Sequence, residues 1–187
     1  MKKILISIKP KWVAKILNGE KTFEIRKTAP KCKLPCEVYI YCTKGKDMVC
    51  FRPNFGGYAC VPNRYGNGYF NGKVVAKFTL EKTYLLTQEK RGYCAWAGMG
   101  CFEFVKDACI TQEELNDYLK GKDGYAWLIS DLVIFDKPKE LKDFKKVANK
   151  RTFTNLPWLE PSQKLVFKSL APLTHAPQSW CYCEVDE

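Results

Sequence analysis

Gly19-Glu20-Lys21-Thr22-Phe23-Glu24-Ile25-Arg26-Lys27 is the stretch on which the reading of this chain turns. It follows a short run with helical spacing and opens a strand. Side chains of a strand alternate between its two faces. Thr22, Glu24 and Arg26 therefore share one face, and Phe23 and Ile25 the other. The apolar pair belongs in a core. The carboxylate and guanidinium then stand side by side on the opposite surface, with Lys21 at the mouth of the strand. Three charges so close together are a poor way to stabilise a sheet and a good way to build a polar site.

Working outward, Ile4, Ile6 and Ile8 alternate with Leu5 and Ser7, the pattern of a first strand with one face more deeply buried. The apolar run after Met1-Lys2-Lys3 ends too soon, at Lys9-Pro10-Lys11, to read as a signal peptide. Pro10 suits the first turn of a helix. Trp12, Val13, Ile16 and Leu17 supply its apolar stripe, and Asn18-Gly19 closes it. Val38–Cys42 and Val74–Leu80 read as further strands. Thr111 and Glu114 form a capping box ahead of a helix over 113–120. Tyr125–Ser130 and Leu132–Phe135 are either one long strand or two joined at Ser130-Asp131. Beyond residue 140, Leu141, Phe144 and Val147 suggest a helix stripe under a cluster of lysines. Trp158 and Trp180 argue that this tail folds back onto the body.

The segment 51–71 differs in kind. Six aromatic residues lie among Arg52, Arg64, glycines and asparagines, with no helical or strand period. A long irregular loop inside a domain is usually functional or disordered. Aromatic rings interleaved with arginine are the chemistry that stacks unpaired bases. A self-packed hairpin arm or an oligomer contact is the alternative.

Bulk composition narrows the function classes. The chain has 187 residues, 46% of them hydrophobic, enough for one domain with a real core. Its apolar runs are too short to cross a bilayer, so no membrane partner is expected. Lysine and arginine exceed aspartate and glutamate by 31 to 20, a net charge of +11, which favours nucleic acid as partner. Ten cysteines without a secretory signal place the chain in a reducing cytosol with mostly free thiols. Cys32/Cys36 and Cys181/Cys183 are the only close pairs. Together they could offer four zinc ligands, although neither has the preferred spacing. No metal or other cofactor is expected. The single histidine, His175, makes a Cys–His or Ser–His design a weak reading. No P-loop and no two-metal acidic cluster is present.

Three pieces together identify a likeness. Ser7-Ile8-Lys9-Pro10 leads a helix into the Gly19-x-Lys21-x-x-Glu24-x-Arg26 pattern, and Tyr125–Asp131 precedes Phe135-Asp136-Lys137-Pro138 and Leu141. Over about residues 3–140 this resembles the ASCH family of the PUA-like superfold, whose signature is that G-x-K-x-x-E-x-R pattern. The ending Ala176–Tyr182 is similar to the tails of some small phage and prophage members. The resemblance implies an α+β fold: a PUA-like mixed β pseudo-barrel flanked by short helices. It divides the chain into an ASCH domain over 1–140, with 51–71 as a long aromatic and glycine-rich loop insertion, and a basic C-terminal arm over 141–187 packed back on the body.

The resemblance also implies a cleft lined by the signature residues and a role in binding RNA or a nucleotide. Some family members are amidohydrolases on acylated cytidine, in which the lysine matching Lys21 works with a strand threonine and a distant glutamate; others have been assigned ribonuclease activity. Here the threonine position holds Glu24, and the distant glutamate falls near Asp107 and Ala108. The expected site is therefore Lys21, Glu24 and Arg26 for any catalysis, with Lys9, Arg52, Arg64, Tyr65 and Tyr69 contacting nucleic acid. In the residues' own chemistry, Lys21 is a candidate base, Glu24 a proton carrier and Arg26 an anion-binding fork. Three functions follow: an RNA- or nucleotide-binding module, a small metal-independent hydrolase, or a phage-type protein that docks on a host factor.

Overall fold

The polar strand sits in a mixed sheet assembled from both ends of the chain. A computed structural model describes residues 3–64, 69–90, 92–97, 100–102, 104–147 and 169–185. Strand β1 (Lys3–Ile8) is followed by helix α1 (Pro10–Leu17) and β2 (Phe23–Arg26). Then come β3 (Cys36–Cys42), β4 (Asp47–Arg52), β5 (Gly57–Pro62), β6 (Val74–Glu89), β7 (Gly92–Ala97) and β8 (Gly100–Phe102). Helix α2 (Gln112–Leu119) precedes the long β9 (Gly124–Lys139). The described elements end with β10 (Phe144–Val147), β11 (Ser169–Pro172) and β12 (Trp180–Val185).

One sheet runs β11-β10-β12-β1-β3-β6-β7-β8, and β9 bridges β6 to β2. β1 lies parallel to β3 and antiparallel to β12. The described strands form an open mixed sheet, in keeping with the expected α+β fold. Residues 169–185 are continuous with this sheet, and Trp180 packs edge-on against Trp127 of β9 at 5.7 Å. Residues 169–185 are thus folded onto the body, as Trp180 suggested; Trp158 lies outside the described residues.

β1 is buried on both faces rather than chiefly on one. Ile4, Ile6 and Ile8 join a core with α1, while Leu5 enters a second core with Tyr39, Phe144 and Val185. The reason is long-range: the segment after residue 140 covers the face that the alternation left open. That segment is also where local periodicity misleads. Leu141–Asp143 makes a single 3-10 turn, and Phe144–Val147 is a strand, not the expected helix. Phe144 is fully buried, and pairing with β12 supplies backbone hydrogen bonds that a short helix would not gain.

The other elements follow their local signals. α1 starts with Pro10 and buries Val13, Ala14, Ile16 and Leu17; Gly19 takes φ +74° just beyond its end. α2 carries the full capping box between Thr111 and Glu114. β9 is one strand, and its register shifts at Asp131, which adopts φ +48°.

The aromatic segment corrects the loop expectation. Over 47–62 it is a β4–β5 hairpin, with residues such as Val49 and Cys60 in register. Tyr58 packs between Phe51, tilted at 5.2 Å, and Phe70, edge-on at 5.6 Å, so part of the segment's aromatic content packs on itself. Asn18 ties the hairpin to α1 as a backbone strand would. Its amide donates to the Tyr58 carbonyl at 2.9 Å and accepts from the Tyr58 N–H at 2.8 Å. Asn18→Ala removes both bonds. The expected outcome is a stability loss of about 1–2 kcal/mol by denaturant melting. Hydrogen exchange is expected to speed up in 47–62 and to stay slow in β1 and β3; uniform acceleration across the sheet would contradict this account.

Candidate functional site

Lys21, Glu24 and Arg26 are all buried, with 3%, 5% and 6% of their surface exposed. The strand alternation places Phe23 and Ile25 in a small core with Leu86, Phe104 and Leu115, and turns Glu24 and Arg26 the other way. Lys21 reaches the same place from the turn before β2. That turn is held by the Thr22 N–H donating to the Asp107 carbonyl at 2.8 Å.

The three charges form a chain. Arg26 Nη2 lies 2.9 Å from Glu24 Oε1, and Lys21 Nζ lies 3.6 Å from Glu24 Oε2. The outer cations are fastened to backbone. Lys21 Nζ donates to the Ala108 carbonyl at 2.7 Å, and Arg26 Nη2 donates to the Ser7 carbonyl at 2.7 Å. Arg26 Nη1 donates to Ser179 Oγ at 3.2 Å. Ser7 completes the frame: its hydroxyl donates to the Pro177 carbonyl at 2.6 Å, and its N–H to the Ser179 carbonyl at 2.9 Å. β1, β2 and the tail are therefore locked together around one carboxylate. Arg26 holds this frame, because both its terminal nitrogens are already engaged.

These groups face a cleft of about 540 Å³. Trp12, Tyr41 and Tyr118 give it aromatic walls, and Lys9, Thr43 and Gln178 line it with polar groups. Glu24 Oε2 is buried and accepts no hydrogen bond from the protein. A buried acceptor of this kind is costly unless something fills it. Burial pushes the Lys21 ammonium below its ordinary value; the Glu24 charge opposes that shift, and Arg26 adds to it. Trp12 presents its ring to Lys21 Nζ at 5.1 Å.

The expected site residues separate into two groups. Lys21, Glu24, Arg26 and Lys9 line the cleft. Arg52 lines a separate shallow hollow beside the hairpin with Asn18 and Tyr58. Arg64 and Tyr69 are exposed and do not line the cleft. Tyr65 lies outside the described residues. The four-cysteine zinc reading fails: among the described residues no three metal-capable side chains come together. Cys32 and Cys36 lie with their sulfurs 3.7 Å apart, and burial pushes the Cys36 and Cys183 thiols up to about 12, which disfavours thiolate. His175 bonds only its neighbour Thr174 and stays exposed, away from the cleft lining. Among the described residues no helix is long and apolar enough to cross a membrane.

No family model and no curated protein matches this chain. Among solved structures, a serine-to-alanine variant of the ASCH protein from Zymomonas mobilis aligns with 97% of this chain and 87% of its own, at TM-score 0.52 and 17% identity. The chain has the ASCH fold. The unsubstituted Zymomonas mobilis ASCH structure aligns over the same shares, at TM-score 0.49 and 18% identity. Within this ASCH fold, the cleft floor is the part legible as a pattern. Trp12, Tyr41, Tyr118 and Ser179 were not picked out as site residues. Trp12 read as part of the helix stripe, and only the tertiary structure carries Tyr41, Tyr118 and Ser179 to the same hollow. Ser7, which also lines the cleft, is a polar break in an apolar strand and so a signal readable in the sequence.

Glu24 is the carboxylate between the buried cations Lys21 and Arg26. Glu24→Gln is expected to cost about 3 kcal/mol at neutral pH, because it strands both. With Lys21 depressed in the folded state, the unfolded chain binds more protons between that value and the ordinary ~10.4, so stability rises with pH there. Loss of the Glu24 charge depresses Lys21 further and widens this interval. Part of the deficit relative to the unsubstituted protein should therefore close as pH rises toward 10. A pH-independent deficit in chemical denaturation would refute the pairing.

Proposed function

We propose that the protein binds RNA or a nucleotide, holding a nucleobase in the cleft above Glu24. The observation that carries this reading is the orphaned Glu24 Oε2 on the floor of an aromatic-walled hollow. A base offers a flat ring to stack against Trp12 or Tyr118 and N–H groups to meet that acceptor. A cleft of about 540 Å³ falls in the size range of small-molecule sites. Lys21 donates to an acceptor on the same guest, since only one of its hydrogens is used by the Ala108 carbonyl. Arg26 positions Glu24. The net charge of +11 supports a polyanionic guest.

Tyr118 tests this with little risk to the fold, because it is 36% exposed. In titration calorimetry at low salt, the protein should bind short single-stranded RNA or mononucleotides. Tyr118→Ala should weaken that binding by about 1–3 kcal/mol. Absence of binding at low salt would reject the reading.

Lys21 favours one further reading, a metal-independent hydrolase. A buried lysine whose ammonium is destabilised beside a carboxylate has the properties of a general base, with Glu24 as proton carrier. On RNA or acylated nucleosides, Lys21→Ala should then abolish turnover while circular dichroism shows an intact fold. Unchanged turnover would exclude this chemistry.

A further inference from the structure

A second cavity, of about 400 Å³, adjoins the cleft and shares Lys9, Trp12, Thr43 and Lys44 with it. Its own lining adds Lys11, Lys46, Asp47 and Glu114, among others. Trp12 divides the two: Lys21 lies over its ring at 5.1 Å and lines only the cleft, whereas Lys11 lies over it at 4.3 Å and lines only the second cavity.

The charge here is different in character from that of the cleft. Glu114 is already taken by Lys11 at 2.9 Å. Lys9, Lys44 and Lys46 carry no ion pair among the described residues, and all three are exposed. Asp47 is the remaining carboxylate of the lining. Three free ammonium groups against one carboxylate leave a positive chamber open to water. The cleft next door is floored by buried charge, and one of its acceptors, Glu24 Oε2, receives no hydrogen bond from the protein.

We infer that the lysine chamber is a phosphate subsite, so that the guest of the cleft is a phosphate ester and not a free nucleoside. This rests on the nucleobase reading of the cleft. The base lies on the Glu24 side of Trp12, and its 5′ or 3′ phosphate lies among Lys9, Lys44 and Lys46. Ammonium groups on flexible stems suit this role, since they bind phosphate as point charges and tolerate a range of positions. The division of labour is physical: the buried carboxylate recognises hydrogen-bond donors, and the exposed lysines supply salt-dependent attraction.

The test compares the unsubstituted protein with Lys44→Ala/Lys46→Ala. Both side chains are exposed and outside the buried frame, and a melting curve confirms that the fold is retained. Each protein is titrated with the four ribonucleosides, their 5′-monophosphates and a short mixed-sequence single-stranded RNA. Phosphate-bearing guests should bind the unsubstituted protein more tightly than nucleosides. They should lose about tenfold in the double variant, whereas nucleosides, which meet only Lys44 where it borders the cleft, should lose much less. For the RNA, the slope of log affinity against log salt should become shallower by about 0.7 for each phosphate contact removed. A loss seen for the monophosphates identifies a terminal phosphate as the ligand. A loss confined to the RNA identifies the phosphodiester of a strand. Equal affinity for nucleosides and phosphate esters, unchanged in the double variant, overturns the subsite and leaves the cleft reading standing. No binding of any probe by the unsubstituted protein overturns both.

Discussion

Everything near the cleft depends on one carboxylate held out of water between two cations. Burying Glu24 alone would be costly, and burying Lys21 and Arg26 alone would be costlier. Each makes the others tolerable, and the cations also donate to the backbone carbonyls of Ala108 and Ser7 and to the Ser179 hydroxyl, from three distant parts of the chain. Such an arrangement is rarely the most stable one available to a sheet; apolar residues of similar volume are often at least as good. Its value lies in fixing geometry. Ser7, Ala108 and Ser179 are separated widely in sequence, and the charge chain holds them in one relation to each other. One buried oxygen, Glu24 Oε2, accepts no hydrogen bond from the protein, and Glu24 lines the aromatic-walled cleft.

The sequence made the floor of this site readable because the floor is local. A helix end, a glycine and four strand residues set the positions of Lys21, Glu24 and Arg26, and strand alternation is a short-range rule. The α1 and α2 boundaries were readable for the same reason, since proline, asparagine and a capping box act within a turn. Reading failed where partners are remote. Phe144 carries a helix-like spacing, yet its place beside Leu5 and Val185 decides its conformation. The 47–62 hairpin lacks clean alternation because its aromatic residues pack against each other and against α1. The cleft walls were hidden too: Tyr41 and Tyr118 sit on elements whose meeting no short window reports.

The site also separates two uses of positive charge that composition merges. Lys21 and Arg26 are spent on structure and on one carboxylate, deep in the fold. Lys9, Lys44 and Lys46 remain in water, where ionic strength governs what they do. An excess of lysine in a sequence therefore says little until burial sorts it. Aromatic residues divide in the same way. Tyr58 and Phe70 serve the hairpin's own packing, while Trp12 stands between two chambers with a cation on each side.

The pairing of β1 with β12 has a consequence for how the chain reaches this state. β1 is completed by a strand that follows it far along the chain, with Ile6 opposite Trp180. Until then β1 has a bare hydrogen-bonding edge along an almost wholly apolar strand, a template for pairing with other nascent chains. Contacts so far apart in sequence form slowly. The cleft is thus assembled only after β12 has been made, and a polypeptide stopped short of that strand would carry Lys21, Glu24 and Arg26 with nothing to close around them.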